Sequence, residues 1–195
     1  YKGFAALVSV LEEVDDNVML FVRSRESRPS LVTMNVSSGD TSSFRSLPEN
    51  TERVWGAQKL KKMKSRSDVD LLVKTVSREN DDSYLMSVKG GDWKPFKLTM
   101  DGFDGPWQPR SLTDNYLTAT AQPDDSPNAP THVLRYDRKK GVWEDLFKVG
   151  FATVNNVITS DDGDLSRVYY VSDKPRVAFF DDADPLNREV APFSW

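Results

Sequence analysis

The stretch HVLRYDRKKGVWEDLF, His132 to Phe147, reads as two short strands joined by a turn. Tyr136 and Asp137 precede the turn, Gly141 sits in it, and Trp143 and Leu146 come after it. A short polar side chain before a turn accepts hydrogen bonds from the backbone ahead of it, which favours the bend. A glycine supplies the positive φ that the chain needs where it reverses.

The same spacing recurs. Counted from Gly141, Tyr136 lies five residues before, Asp137 four before and Leu146 five after. Around Gly39 those places hold Met34, Asn35 and Phe44, and around Gly91 they hold Met86, Ser87 and Phe96. The three glycines are 52 and 50 residues apart. A degenerate fourth copy is VAFFDDADPLNREV, with Phe180 and Asp181 in the same places, Pro185 for the glycine and Val190 five after.

Each hairpin has an apolar, β-branched stretch before it: Val18–Arg23, Val69–Val76, Tyr116–Ala121 and Val168–Val171. One further candidate strand precedes each of these: Ala5–Val10, Val54–Met63, Trp107–Leu112 and Val154–Thr159. Helical periodicity is nearly absent, and Val54–Arg66 is its best candidate. Runs of β-branched and aromatic residues bounded by Asp, Asn, Gly, Ser or Pro mark an all-β chain.

Four strands per unit with a period near 50 residues is the pattern of a β-propeller blade. One such sheet cannot cover both its faces, and stacked neighbours bury them. The expected fold is therefore all-β, with about four blades of four antiparallel strands, forming an arc or fragment of a larger propeller. The blade-like units are expected at 4–48, 52–100, 106–149 and 153–192. A β-sandwich uses the same strand and turn signals and is the competing architecture.

Composition narrows the function classes. The chain has 195 residues, with 26 basic and 30 acidic side chains and a net charge of −4, so no electrostatic reason exists to expect nucleic acid. The apolar run Phe4–Leu11 falls far short of the ~20 residues of a membrane helix. With no cysteine, disulfides and thiolate metal sites are excluded. The first residue is Tyr1, so the chain is read as processed, trimmed or cut from something longer. A periplasmic or secreted protein and a cytoplasmic one both fit, with the periplasm preferred.

The last third, Thr131 to Pro185, resembles propeller blades of the prolyl oligopeptidase family of serine peptidases. The family's YD-x-x-x-G hairpin matches Tyr136–Gly141. Its SPDG-like turn matches Ser160–Gly163, with Asp161 where proline is usual. Its RPRV-type segment matches Lys174–Asp181, with Lys174 where arginine is common. The resemblance implies a non-catalytic domain that gates or restricts peptide access to a separate C-terminal α/β-hydrolase domain. The Ser-Asp-His triad of the family sits on that domain, which carries a G-x-S-x-G elbow. No such elbow follows any glycine here, so no catalytic residue is carried over and no activity is expected of this chain alone. The implied partners are that hydrolase domain and a peptide substrate, and a fragment with open edges is expected to self-associate. The alternative is a stand-alone propeller or β-sandwich that binds or scaffolds protein or carbohydrate.

Few single residues suggest chemistry. His132 is the only histidine and has no second histidine or cysteine to work with, so it reads as a strand-edge residue. Ser160–Asp164 and the group Asp181, Asp182 and Asp184 offer oxygen ligands for calcium, but the first lacks a closing glutamate and both read as turns. The basic run Lys59–Arg66 fits a solvated edge. Trp55, Trp93, Trp107 and Trp143 fall one or two per unit, and Trp93 and Trp143 both stand two residues after their repeat glycine, which points to packing. No catalytic, cofactor or metal residue is assigned. The proline-flanked segment Phe103–Arg110 is the best candidate for a peptide-path loop, with Trp107 and Arg110 as its binding residues. Ala121–Pro130, with three prolines, reads as a long, mobile hairpin loop.

Overall fold

The computed structural model describes residues 7–14, 17–22, 29–56, 71–76, 82–87, 92–150, 153–159, 165–171, 175–181 and 190–192. Sixteen strands and no helix occur among them. The strands are β1 (Leu7–Val14), β2 (Asn17–Val22), β3 (Ser30–Asn35), β4 (Thr41–Ser46), β5 (Thr51–Gly56), β6 (Leu71–Val76), β7 (Asp82–Ser87) and β8 (Trp93–Phe96). They continue as β9 (Trp107–Leu112), β10 (Tyr116–Ala121), β11 (Thr131–Asp137), β12 (Val142–Gly150), β13 (Thr153–Thr159), β14 (Leu165–Val171), β15 (Pro175–Asp181) and β16 (Val190–Pro192). They form four antiparallel sheets of four strands, each built from consecutive strands laid side by side in chain order. The helical alternative at Val54–Arg66 fails at its start, since Val54 to Gly56 lie in β5, and the rest of it lies outside the described residues.

The repeat glycines behave as the spacing predicts. Gly39 and Gly141 have φ of 71° and 73°. Asn35 Oδ1 accepts from the N–H groups of Ser37 (3.0 Å) and Ser38 (2.9 Å). Asp137 Oδ1 accepts from those of Lys139 (2.9 Å) and Lys140 (3.0 Å). The glycine N–H then returns to the carbonyl of the same polar residue, Gly39 to Asn35 at 2.9 Å and Gly141 to Asp137 at 2.8 Å. Two unlike sequences thus build one five-residue turn, Asn35–Gly39 and Asp137–Gly141, from a side-chain acceptor at its start and a left-handed residue at its end. Gly91 lies outside the described residues.

The chain divides into two compact units, Tyr1–Lys97 and Leu98–Trp195. In the first, Phe21 and Leu31 are neighbours across β2 and β3, and Arg45 continues their row on β4. Phe21 and Leu31 join Leu47, Val54, Leu71 and Val73 in one buried cluster, with Leu85 and Trp93 packed against it. Fully burying such a side chain contributes about 1.5–3 kcal/mol, so this cluster holds the unit's two sheets together. Arg45 closes its rim, with the guanidinium carbon 4.9 Å from the Trp93 ring centre. The polar groups caught at the cluster's edge are satisfied: Ser87 Oγ accepts from the Leu71 N–H at 2.7 Å, and the buried Thr51 hydroxyl donates to the Pro48 carbonyl at 2.7 Å.

In the second unit, β13 lies against β9 and β10. The sheet β9–β12 buries Leu112, Leu117, Ala119, Ala121, Val133 and Leu134. It also carries the peptide-path candidates.

Candidate functional site

β9 and β10 pair as Trp107 with Ala121, Gln108 with Thr120 and Pro109 with Ala119, and then resume as Ser111 with Thr118. Arg110 is the extra residue of a β-bulge. Because side chains alternate across a sheet, one inserted residue re-aims the side chains beyond it. Trp107 lies on the face of Ala119 and Ala121. Arg110 turns to the opposite face, where its Nε–H donates to Thr120 Oγ1 at 3.0 Å. The two residues singled out in the sequence sit on one strand, both half-buried, and on opposite faces.

The Trp107 face is aromatic. Tyr136 and Trp143 are paired across β11 and β12, and their ring centres lie 5.1 Å apart. Trp143 meets Trp107 edge to face at 6.0 Å and 78°. These two tryptophans come from the first and last strands of one sheet. They can meet because Ala119 and Ala121, buried between them on β10, leave space above the sheet. The equivalence of Trp93 and Trp143 holds only as spacing from the repeat glycine: Trp93 pairs with Ser87 and Trp143 with Tyr136, so the ladders place them one step out of register and on opposite faces of their sheets. Their surroundings differ, since Trp93 packs on the first unit's core and Trp143 packs within its own sheet.

At the Trp107 end two loops lock together. Gly105 passes so close to the next loop that a Cβ there would lie 2.3 Å from the Asp124 carbonyl oxygen and 2.7 Å from that of Gln122. The Asp104 N–H donates to the Pro123 carbonyl (3.0 Å) and the Gln122 N–H to that of Pro106 (3.0 Å). Within the second loop, Asp124 Oδ1 accepts from the Ser126 N–H (2.8 Å), and Gln122 Nε2 donates to the Ala129 carbonyl (3.0 Å). Ala121–Pro130 is therefore a hydrogen-bonded loop rather than a slack one. Its prolines fall where no amide donor is needed, and its Ala129 is buried.

His132 has more company than the sequence indicated. Its Nδ1 lies 2.8 Å from Asp145 Oδ2, and its ring meets Phe103 edge to face at 5.1 Å. This pair lies on the Trp107 face, where the ring also anchors the Phe103 loop. Sequence reasoning missed it because two register shifts between β11 and β12 govern which residues meet. A hairpin count from Gly141 alone cannot locate those shifts.

The opposite face is mixed, with the buried Val133 beside its polar groups. Thr118 and Thr120 are buried there, and the Ser111 and Thr118 hydroxyls are hydrogen-bonded to each other. Farther out, Arg135 pairs with Glu144 at 2.8 Å and lies over the Tyr116 ring, its guanidinium carbon 4.8 Å from the ring centre. At the turn, the Lys140 N–H donated to Asp137 holds its carboxyl below the ordinary carboxylate value, with the Lys140 ammonium and Lys139 N–H adding to the effect against burial. Asp137 is thus spent on the turn.

Among the described residues, no group of three or more His, Cys, Asp or Glu side chains is placed to hold a metal ion. Ser160–Asp164, Asp182, Asp184 and Lys59–Arg66 lie outside the described residues.

No protein-family model matches the chain, and no curated protein matches it. Solved structures do. TolB from Acinetobacter baumannii superposes with a TM-score of 0.53 at 15% identity, covering 92% of this chain and 42% of that one. A chain of a nidogen/laminin complex gives 0.52 at 12% identity, with 92% and 61% covered. A structure from a study of two prolyl endopeptidases gives 0.54 at 10% identity, with 90% and 24% covered. The chain thus spans from about a quarter to three fifths of the length of these proteins. At such identities the likeness speaks for fold alone. With four consecutive four-stranded antiparallel sheets, that fold is a run of β-propeller blades.

Proposed function

We propose that this chain is a non-catalytic propeller segment of a serine peptidase resembling the prolyl oligopeptidases. It restricts the entry of peptides to a hydrolase domain carried elsewhere in the parent chain. The observation that carries this reading is the Tyr136–Gly141 hairpin. Its YD-x-x-x-G residues match the family's blade motif, and Asp137 and Gly141 both serve the turn. Likeness in fold to a prolyl endopeptidase structure supports it. Trp107 and Arg110 are proposed as peptide-path residues, one on each face of β9.

The coding sequence tests this directly. Beyond Trp195 it should continue into a region with a G-x-S-x-G elbow, and the purified 195-residue chain should release no chromophore from proline-containing peptide anilides. A reading frame that stops near Trp195 overturns the proposal. So does turnover by the isolated chain that a fluorophosphonate blocks.

A second reading is a stand-alone propeller that binds protein or carbohydrate. The contact of Trp107, Trp143 and Tyr136 favours it, since joined aromatic rings form an apolar platform for a sugar or peptide. It requires a gene that ends near Trp195, so the same sequencing separates the two.

A further inference from the structure

The turn between β3 and β4 uses only part of the side chain that opens it. Asn35 Oδ1 accepts from the Ser37 and Ser38 amides at 3.0 and 2.9 Å, and the Asn35 backbone N–H donates to the Asp40 carbonyl at 2.9 Å. Its Nδ2 makes no hydrogen bond among the described residues. The matching turn at Asp137 shows that an acceptor is all such a turn requires. There Oδ1 takes the two equivalent amides, and the second carboxylate oxygen is met by the Lys140 ammonium at 3.2 Å. The Asn35 amide nitrogen is therefore surplus to the fold. It stands at an open tip, where Ser37 and Ser38 are exposed and Val36 is 57% exposed.

That nitrogen also lies in a defined chemical pattern. Of the nine asparagines, only Asn35 is followed two residues later by serine or threonine, with Val36 rather than proline between them. Asn-x-Ser on a surface turn is the acceptor pattern for an N-linked glycan. At the Asp137 turn the same two places hold a carboxylate and Lys139, so the pattern is not a requirement of the turn. The Ser37 N–H bond to Oδ1 holds the acceptor amide and the hydroxyl residue in one bend, and the Ser37 hydroxyl is unbonded among the described residues. From the surplus nitrogen and this pattern we infer that Asn35 is an N-glycosylation site. Nδ2 attacks the anomeric carbon of an oligosaccharide carried on a lipid diphosphate. A C–N bond forms and the C–O bond to the diphosphate breaks. The lipid diphosphate leaves with the electron pair, the Nδ2 proton passes to a base of the transferase, and nothing is oxidised or reduced. Oδ1 takes no part, so the turn keeps both of its amide bonds. Glycans of this kind are added to exported chains, so one at Asn35 places this blade on the exported side of a membrane. The inference is independent of the peptide-gating reading.

The test translates the 195-residue chain behind a cleavable export leader, with microsomes that carry an oligosaccharyl transferase. Mass spectrometry should find a single oligosaccharide on the peptide that contains residue 35. Peptide N-glycosidase should release it and leave aspartate there. Ser37→Ala removes the hydroxyl but keeps the amide that donates to Oδ1, so it should lose the glycan with the turn intact. Asn35→Asp keeps the acceptor, as Asp137 does, and should also stay bare. Ser37→Thr should retain the glycan, and Ser38→Ala should be occupied as the parent is. Far-ultraviolet circular dichroism of the two bare variants should match the parent, which separates loss of the acceptor from loss of the fold. A parent chain that stays bare overturns the inference. So does a glycan that persists at residue 35 in Ser37→Ala. Protein recovered from the cells that make it should carry the same addition, and a bare Asn35 there overturns the inference as well.

Discussion

Asp137 and Lys140 are joined twice. Asp137 Oδ1 accepts the Lys140 backbone N–H at 3.0 Å, while Oδ2 lies 3.2 Å from the Lys140 ammonium. The backbone bond is the main cause of the lowered Asp137 pKa, and the side-chain bond to Asp137 is the main cause of the raised Lys140 pKa. A depressed carboxylate stabilises the fold fully above its ordinary value of 3.8 and loses that contribution as pH falls through its lower folded value. A raised lysine stabilises fully below 10.5 and loses the contribution as pH rises through its higher folded value. Asp137→Asn keeps the turn acceptor, as Asn35 does in the equivalent hairpin, and removes only the charge. Its melting temperature should fall below that of the parent between about pH 5 and pH 10. Thermal scans should show the gap closing at both extremes. A gap that persists once the pH is low enough to protonate the carboxylate in the folded state as well as the unfolded one would assign the effect to something other than this pair.

Replacing either turn glycine with alanine should be costly for conformational reasons alone. At Gly141 an added Cβ meets nothing nearer than the Tyr136 hydroxyl, at 3.7 Å, so space is not the problem. The left-handed backbone costs an L-residue about 1–2 kcal/mol, and asparagine tolerates it better. Urea unfolding should therefore rank Gly141→Ala below Gly141→Asn, and both below the parent. The same order is expected at Gly39.

Gly105→Ala fails for the opposite reason. The obstacle is backbone oxygen at 2.3 Å, which cannot swing aside as a side chain would. Separating the two loops sacrifices the Asp104 and Gln122 backbone bonds. The expected loss is about 1–3 kcal/mol. Hydrogen exchange at the Asp104 and Gln122 amides should accelerate, and unchanged protection would refute the close approach.

Ala121→Leu should push apart Trp107 and Trp143, because the added branches occupy the space over which the rings meet. Overpacking of this kind costs about 1–3 kcal/mol. Near-ultraviolet circular dichroism should lose the signal of the coupled indoles while far-ultraviolet strand content stays. An unchanged near-ultraviolet spectrum would show that the alanines do not create the contact.

The Arg45–Trp93 contact offers a test of packing in the first unit. A double-mutant cycle with Arg45→Ala and Trp93→Leu should return a coupling of about 0.5–1 kcal/mol, the range of a partly exposed cation–π pair. Additive losses would mean that the two residues stabilise the unit independently.

The features legible in the sequence were those that local chemistry decides. Asn35 and Asp137 with their glycines mark turns whose atoms lie within five residues, so spacing alone finds them. The strands at Trp107–Leu112 and Tyr116–Ala121 were legible from their composition and boundaries. The candidate site was legible only as separate residues. Trp107 and Arg110 read as neighbours in one loop, yet they lie three apart in a strand, where alternation puts them on opposite faces; the bulge re-aims only Ser111 and Leu112, and it adds one residue without any mark in composition. The Trp107–Trp143 contact was invisible because it spans a whole sheet. It depends on the sheet's twist and on two small residues whose role emerges only when the strands are aligned. His132 and Asp145 were hidden by irregular register in the same way.

In every sheet the second and third strands pair without a register shift, whereas the first strand carries an extra residue against the second, and this difference bears on how such a chain can change over generations. With the central pairing locked, a residue gained or lost in the first strand is absorbed as a bulge beside it. The error does not pass outward to flip the remaining strands. Each sheet can therefore sample new side chains at its leading strand while its neighbours keep their contacts. A chain of repeated blades built this way can diversify one position at a time without refolding the rest.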